Sequence, residues 1–195
     1  MIAVSLSLNE AQFRHARDAL LHIPKGAEKA IARAINRALE GARTDAVKAI
    51  CREYQIKPTD VRRTFHIARA RPGKLEAQVI STGGAIPLIK FKVSPKSPPS
   101  QKKKTPQERK VVVAGVRFGT AENMPYSFIV RAKNGYTGVF SRVGDRSLPI
   151  KQRYGPAVPQ MLGHENVLRF IEERAHERLD KELQHQIDYL FGGGR

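Results

Sequence analysis

The sequence predicts an α+β fold in which N-terminal helices and a long C-terminal helix pack on a mostly antiparallel sheet. Apolar residues recur at helical spacing over residues 27–50 and again over residues 168–190. Between these segments the period changes to the alternation of strands, in short runs separated by glycine and proline. At 195 residues the chain can bury a core without disulfides, so we expect a single domain over residues 1–195.

The chain begins with a strand and a capped helix. Apolar residues alternate with small or polar ones over residues 2–8, which predicts a short half-buried strand. Asn9 and Gln12 have the spacing of a capping box and predict the start of a helix. That helix should end near His22, just before Pro24.

The second helix is the clearest in the sequence. Its apolar face, over residues 27–50, is narrow and rich in alanine, so a neighbouring helix can approach closely. Pro58 then signals a break and a new helix start, and we expect this helical region to end at Pro72-Gly73. The buried side of this third helix should consist of Val61, Phe65 and Ala68.

The middle of the chain has the pattern of a sheet. Alternation over residues 75–79 and the β-forming runs 88–93 and 111–118 predict strands. Asn134-Gly135 lies between two further runs and predicts a hairpin with a type I′ turn, because both residues tolerate positive φ. Prolines over residues 148–160 predict an extended path without regular structure. The last helix follows and should stop at the glycines 192–194.

The charge of the chain indicates an acidic partner. Thirty-five Lys and Arg against 18 Asp and Glu give a formal net charge of +17, well beyond what solubility requires. Nucleic acid is the commonest partner for a protein with such a positive electrostatic field. A membrane surface or an acidic neighbouring subunit would satisfy it as well.

A mobile basic loop, rich in proline and lysine, is predicted at residues 94–110, because residues 94–106 offer nothing apolar to bury. Its cations could reach phosphates through sequence-independent contacts. Simple solvation of a surface loop is the alternative, since the excess of positive charge extends beyond this segment. The cations in question are Lys96, Lys102, Lys103, Lys104, Arg109 and Lys110.

Residues 49–65 resemble a helix-turn-helix motif, with a small residue in the first helix, a short turn and a polar-capped second helix. In that case Thr59, Asp60, Arg62 and Arg63 would face the major groove of DNA. The turn lacks the usual glycine and the preceding helix is longer than such motifs need, which favours an ordinary helical hairpin. A sequence-specific DNA-binding regulator remains the alternative function that this segment supports.

Catalysis and cofactor binding find little support. No Cys and His cluster has zinc-ligand spacing, and His164-Glu165 does not continue to a second histidine at metalloprotease spacing. No glycine-rich phosphate loop and no cluster of acidic metal ligands is apparent. We therefore name no catalytic, cofactor-binding or metal-binding residue and do not expect an enzyme.

The single cysteine and the hydropathy pattern bear on the compartment. Cys51 excludes an internal disulfide and fits a reducing environment. No apolar stretch approaches the roughly 18 residues that a membrane span needs, and the start lacks the features of a signal peptide. We expect a soluble protein made in the cytoplasm, without a membrane partner.

Several short motifs occur in an order that is specific in combination. They are Ala34-Ile35-Asn36-Arg37-Ala38, Ile86-Pro87-Leu88-Ile89-Lys90-Phe91, Lys133-Asn134-Gly135, Phe140-Ser141-Arg142-Val143, Leu148-Pro149-Ile150, Gly155-Pro156-Ala157-Val158-Pro159, and Lys181-Glu182-Leu183 with Leu190. From about Ala30 onward this order resembles the phage minor tail protein Z family. That family is related to the broader group of head-to-tail joining and tail-completion proteins.

The resemblance implies a low-copy virion protein at the head-proximal end of the tail, needed for a finished tail and for placing the DNA end. Other tail and neck proteins are the implied partners, and the family has no catalytic motif to transfer. Because tails are built around a rotational axis, we expect copies of the chain to form a ring. The ring would direct lysine and arginine toward genomic DNA.

Overall fold

The computed structural model describes residues 1–19, 26–98, 111–144 and 146–191. Helices and strands of these residues confirm the α+β class. The helices are α1 (Glu10–Ala19), α2 (Gly26–Glu53), α3 (Pro58–Arg62), α4 (Val158–Leu162) and α5 (Glu165–Phe191). The strands are β1 (Ile2–Ser7), β2 (Phe65–Ala68), β3 (Glu76–Ser81), β4 (Lys92–Ser94), β5 (Val112–Gly115), β6 (Glu122–Met124), β7 (Ser127–Arg131), β8 (Thr137–Arg142) and β9 (Ile150–Gln152).

The two long helices, α2 and α5, pack against each other in antiparallel directions. Glu53 at the end of α2 lies beside His164, just before α5, whereas Arg37 near the start of α2 lies beside Glu182. The alanine-rich face predicted for α2 is confirmed, because small side chains meet α5 and the sheet there. Its buried alanines are Ala30, Ala32, Ala34, Ala38, Ala42, Ala46 and Ala49.

The first sheet covers one side of the helix pair. Its strand order is β1-β3-β2 with antiparallel pairing, so that Val79 lies between Val4 and Ile67. Alternate residues of β1 and β3 are buried, as the period-two pattern predicted. The predicted capping box of α1 is also confirmed: Asn9 N donates to Gln12 Oε1 at 2.9 Å, and Gln12 N donates to Asn9 Oδ1 at 2.8 Å.

Two further sheets, β4-β5-β6 and β7-β8-β9, replace the single sheet that we expected, and all their strands pair antiparallel. The β4-β5-β6 sheet attaches to the end of α2, where Gln55 N donates to Val116 O at 2.9 Å. The β7-β8-β9 sheet is joined to the segment before β4, where Leu88 N donates to Arg153 O at 3.0 Å. Both small sheets therefore lie toward the same end of the helix pair.

The predicted third helix is wrong in its extent. α3 has five residues and ends at Arg62, and the following residues form β2. Over β2 the side chains alternate, with Phe65 buried and His66 exposed, which is the period of a strand. Pairing with β3 satisfies the backbone groups that a longer helix would have used internally. Similarly, residues 88–90 of the predicted strand form a 3-10 turn after Pro87.

The predicted hairpin is confirmed, but its turn type is wrong. Gly135 has φ +81°, whereas among the described residues only Tyr126 is a non-glycine residue at positive φ, so Asn134 is not. Ala132 N donates to Tyr136 O at 2.7 Å and Gly135 N to Ala132 O at 2.9 Å, which makes a three-residue loop. The asparagine instead accepts a hydrogen bond at its Oδ1 from Tyr136 N, at 3.1 Å.

The segment predicted to be extended and irregular contains two regular elements. β9 begins directly after Pro149, and Pro159 lies in the first turn of α4, where a helix does not use that backbone N–H. Pro149 therefore precedes its strand and Pro159 lies in the first turn of its helix, so neither interrupts the element. The predicted end of α1 near His22, the part of the basic loop from residue 99 to 110, and the glycines 192–194 lie outside the described residues.

Candidate nucleic-acid interface

Positive charge is concentrated in one part of the chain. Residues 86–154 contain 15 Lys and Arg against three Asp and Glu, which is +12 of the formal +17. These residues form the two small sheets and the segments between them. The α5 segment, residues 165–191, has the opposite balance, with seven acidic and four basic residues. The molecule thus has a basic β region and an acidic helix, a separation that a regional charge count could have found from the sequence.

The two arginines of the predicted DNA-reading helix lie beside the basic β region. Arg62 and Arg63 are both exposed at the end of α3. The Lys90 ammonium lies 2.6 Å from Asp60 Oδ1 and thereby ties α3 to the 3-10 turn before β4. This ion pair places α3, at whose end Arg62 and Arg63 lie, next to the turn that leads into β4.

The base of that loop is formed by paired strands. In β4, Lys92 and Ser94 face outward while Val93 is buried, and the exposed Lys96 follows shortly after the strand. Ser94 lies opposite Val113 of β5, so the strands on either side of the predicted loop lie side by side. The remaining loop cations, Lys102, Lys103, Lys104, Arg109 and Lys110, lie outside the described residues.

A set of cations on the β7-β8-β9 sheet was missed by the sequence analysis. They are exposed, and in the described part of the chain none lies within 4.0 Å of a carboxylate oxygen. They come from three strands and their connections. These residues are Arg131, Lys133, Arg142, Arg146, Lys151 and Arg153. Arg131 and Lys133 lie at the hairpin end of the sheet, whereas Arg142 lies at the other end, beside Lys151.

Two cations of the basic β region contact aromatic rings within the chain. Arg117 donates to the Tyr54 hydroxyl at 3.0 Å, and its guanidinium lies 5.2 Å from the centre of that ring. Arg142 lies over the Phe128 ring at 5.8 Å, a contact that fixes its direction without neutralising its charge. The interface can therefore attract a polyanion through many dispersed charges.

The structure has no second helix of the length that a helix-turn-helix motif needs at residues 49–65. Residues 49–65, all of which are described, contain the end of α2, the five-residue α3 and the first residue of β2. A recognition helix needs enough length to place several side chains along the major groove, and α3 has little more than one turn. Asp60, one of its expected groove-facing residues, is paired with Lys90.

The described residues offer little for covalent chemistry. Among residues 1–19, 26–98, 111–144 and 146–191, no three His, Cys, Asp or Glu side chains gather as metal ligands. Burial raises the pKa of the Cys51 thiol, which disfavours the reactive thiolate. None of the described helices has the length and apolar composition to cross a membrane.

The motifs that suggested a family contact one another in the fold. Gly155 N donates to Ile86 O at 2.8 Å, and Val143 N donates to Pro149 O at 3.0 Å. Asn36 makes two hydrogen bonds of 2.9 Å with the backbone of Ala70, next to β2. The first two hydrogen bonds each join one of these motifs to another.

Comparison with known families supports the same assignment. The family described as "Prophage minor tail protein Z (GPZ)" matches residues 13–191 of the chain. No curated protein and no solved structure matches it. The match includes the two long helices and all three sheets except β1, which precedes it. The chain belongs to the prophage minor tail protein Z family.

Proposed function

We propose that this minor tail protein is a tail-completion component at the head-proximal end of the phage tail. There it assists head-tail joining and the positioning of the DNA end, and it acts as a structural part of the virion without catalysing a reaction. It is made in the host cytoplasm and then built into the particle. Its partners are other tail and neck proteins and further copies of itself, arranged in a ring around the DNA path.

The observation that carries the DNA part of this proposal is the excess positive charge of residues 86–154. A net charge of +12 on this region, with exposed cations that have no carboxylate within reach in the described chain, creates a strong field. Lys and Arg dispersed over strands and loops suit phosphates, which recur along DNA irrespective of sequence. The contact should therefore be independent of sequence.

Two groups of residues are proposed to contribute to this contact. The first comprises the loop cations Lys96, Lys102, Lys103, Lys104, Arg109 and Lys110 together with Arg62 and Arg63 of α3. The second comprises four cations of the β7-β8-β9 sheet and its hairpin, Arg131, Lys133, Lys151 and Arg153. The Lys90–Asp60 pair supports the first grouping, because it places α3 beside the strand that leads into the loop.

The proposal can be tested by measuring the affinity of the purified chain for duplex DNA of unrelated sequences at increasing salt. If about six to ten phosphates are contacted, affinity should fall by roughly a thousandfold or more between about 50 and 200 mM salt. Replacing Lys102, Lys103 and Lys104 with glutamine should weaken binding to all duplexes and reduce the salt dependence. In the matched control, Arg169 and Arg174, which are exposed on the acidic α5, are likewise replaced with glutamine, and DNA affinity should be nearly unchanged.

Two results would count against DNA contact. DNA binding that is undetectable at low salt, or whose affinity does not change as salt rises, would contradict an electrostatic contact with DNA. A preferred duplex site, weakened at defined base pairs by Arg62→Ala or Arg63→Ala, would instead favour a DNA-binding regulator. Normal infectivity of particles lacking the protein would reject the assembly role itself.

A further inference from the structure

The outer end of the β7-β8-β9 sheet carries an exposed apolar patch rimmed by arginines. Tyr126 is 90% exposed, Leu148 68% and Val143 53%, and Ile150 belongs to the same surface. We call these four residues, with Arg142 and Arg146, the distal patch. Arg142 lies opposite Ile150 in the strand register, and Val143 N donates to Pro149 O at 3.0 Å, which places the members side by side.

Tyr126 follows Pro125 in the turn between β6 and β7, in a conformation that is unusual for a tyrosine. It has φ +57°, in the left-handed region, and it is nearly fully exposed. Glycine or asparagine occupies such positions with less strain, and strained residues concentrate at functional contacts. Tyr126 adjoins Ser127, which pairs with Ser141 beside the rest of the distal patch.

The composition of the distal patch favours a protein partner over DNA. Valine, leucine and isoleucine gain nothing from phosphates, and a contiguous apolar surface with polar edges is typical of an interface between proteins. Tyrosine and arginine are also enriched at the centres of such interfaces. The partner should therefore offer apolar side chains together with negative charge.

The chain itself carries a surface with those properties, at the end of α5. Tyr189 is 48% exposed and Phe191 63%, and the exposed Asp188 immediately precedes these aromatics. In the described residues the Asp188 carboxylate receives a hydrogen bond from the Gln184 amide at 2.9 Å and has no cation within 4.0 Å. We call Asp188, Tyr189 and Phe191 the helix end.

The two surfaces cannot meet within one chain. α5 has 27 residues, which corresponds to about 40 Å of helix. The first residues of α5 lie beside the end of α2, and both small sheets, including the one that carries the distal patch, lie toward that end of the helix pair. The helix end lies at the other end of α5. A contact between the distal patch and the helix end therefore joins two copies through different surfaces.

We infer that the distal patch of one copy binds the helix end of a second copy, with Arg142 and Arg146 facing Asp188. Such a head-to-tail contact repeats from copy to copy and closes into a ring when its rotation permits. This inference rests on the ring in the proposed function and assigns the two surfaces that build it.

Mixing two variants tests the contact directly. One variant, Arg142→Glu with Leu148→Ser, removes the distal patch, and the other, Asp188→Arg with Phe191→Ser, removes the helix end. Each alone should self-associate about tenfold or more weakly than the natural chain, as measured by sedimentation velocity. Mixed together, they should form one-to-one dimers and nothing larger, because each variant supplies one intact surface. All of these side chains are exposed, and unchanged thermal unfolding checks that the variants fold.

Further variants distinguish this contact from association through a different pair of surfaces. A chain with both Arg142→Asp and Asp188→Arg should regain part of the association that each change removes alone. Arg169→Glu, on the other end of α5, is the matched control and should leave association unchanged. Variants that associate like the natural chain, or a mixture that gives only monomers or assemblies larger than dimers, would overturn the inference.

Three outcomes distinguish the failure of this inference from the failure of the proposed function. If the natural chain stays monomeric at all concentrations and yields no cross-linked dimer, the contact between copies is overturned, while DNA binding and position in the particle are still testable. If the distal-patch variant loses DNA affinity and keeps its self-association, the patch is a nucleic-acid surface and the inference fails. If only a neighbouring tail protein binds the patch, the second copy is the wrong occupant.

Discussion

Arg178 of α5 binds the carboxylate of Asp45 on α2 through two hydrogen bonds, 2.8 Å from Nε and 3.3 Å from Nη2. Asp45 is almost buried, whereas Arg178 is partly exposed along its length. This hydrogen-bonded pairing raises the pKa of the Arg178 guanidinium. The pair crosses the central helix contact, so it fixes the position of α5 along α2.

Removing the buried carboxylate should destabilise the fold. Asp45→Asn leaves the guanidinium with a weaker partner, and we expect the free energy of unfolding to fall by about 1–3 kcal/mol. Urea unfolding measures this change. Glu173→Gln, which removes an exposed pair with Arg169, is the matched control and should change stability by less than about 0.5 kcal/mol. Equal stability of the Asp45 variant and the natural chain would contradict a structural role for the pair.

Replacing Gly41 with alanine should not give the increase in stability that this change usually gives inside a helix. Glycine to alanine inside a helix ordinarily stabilises by about 0.5–1 kcal/mol. At Gly41 the added Cβ would lie 2.6 Å from Arg178 Cδ, so the arginine must leave its path to Asp45. Gly41→Ala should therefore destabilise the natural chain and stabilise a chain that carries Arg178→Ala. A double-mutant cycle measures this coupling, and simple additivity of the two changes would contradict the close approach.

Asn36 should be required for the position of the chain after β2. Its side chain donates to Ala70 O and accepts from Ala70 N, both at 2.9 Å. These two hydrogen bonds satisfy the backbone groups of Ala70, which a neighbouring strand would otherwise have to do. Asn36→Ala leaves two half-buried backbone groups without partners, and stability should fall by about 1–3 kcal/mol. Asn36→Asp keeps the acceptor but loses the donor, so it should also destabilise. Asn166, exposed on α5, is the control, and an equal loss there would contradict this role of Asn36.

Cys51 should react slowly in the folded chain. Burial raises the pKa of its thiol, so less thiolate is present at a given pH than in the unfolded chain. Alkylation by iodoacetamide should be slower in buffer than in urea, and its pH midpoint should be higher. The stability linked to this thiol is present below the unfolded pKa and is lost as pH rises through the folded pKa. A native rate equal to the rate in urea would contradict the burial of the thiol.

Elements whose structure is determined by their local sequence were predictable. Helical periodicity located α2 and α5, and the spacing of Asn9 and Gln12 identified the start of α1. β2 was not predictable in this way, because alternation over four residues is too short to outweigh the helix-start signal at Pro58. Its pairing with β3, the next strand of the chain, decides its structure.

The candidate interface was predictable only in part. The lysine-rich segment is visible in the sequence as a run of lysines, whereas Arg142 and Lys151 are on different strands and become neighbours only through strand pairing. The distal patch combines Tyr126 with residues of the exposed segments 142–144 and 146–150, and Tyr126 comes beside them only through the pairing of β7 with β8. Exposure of an apolar side chain depends on which sheet face is covered, and that is a property of the whole fold.

Locating the chain in images of the intact particle tests the central claim most directly. We predict several copies at the head-proximal end of the tail, arranged around the DNA path with residues 86–154 toward it. Density for the chain at the opposite end of the tail, or its absence from finished particles, would contradict this placement.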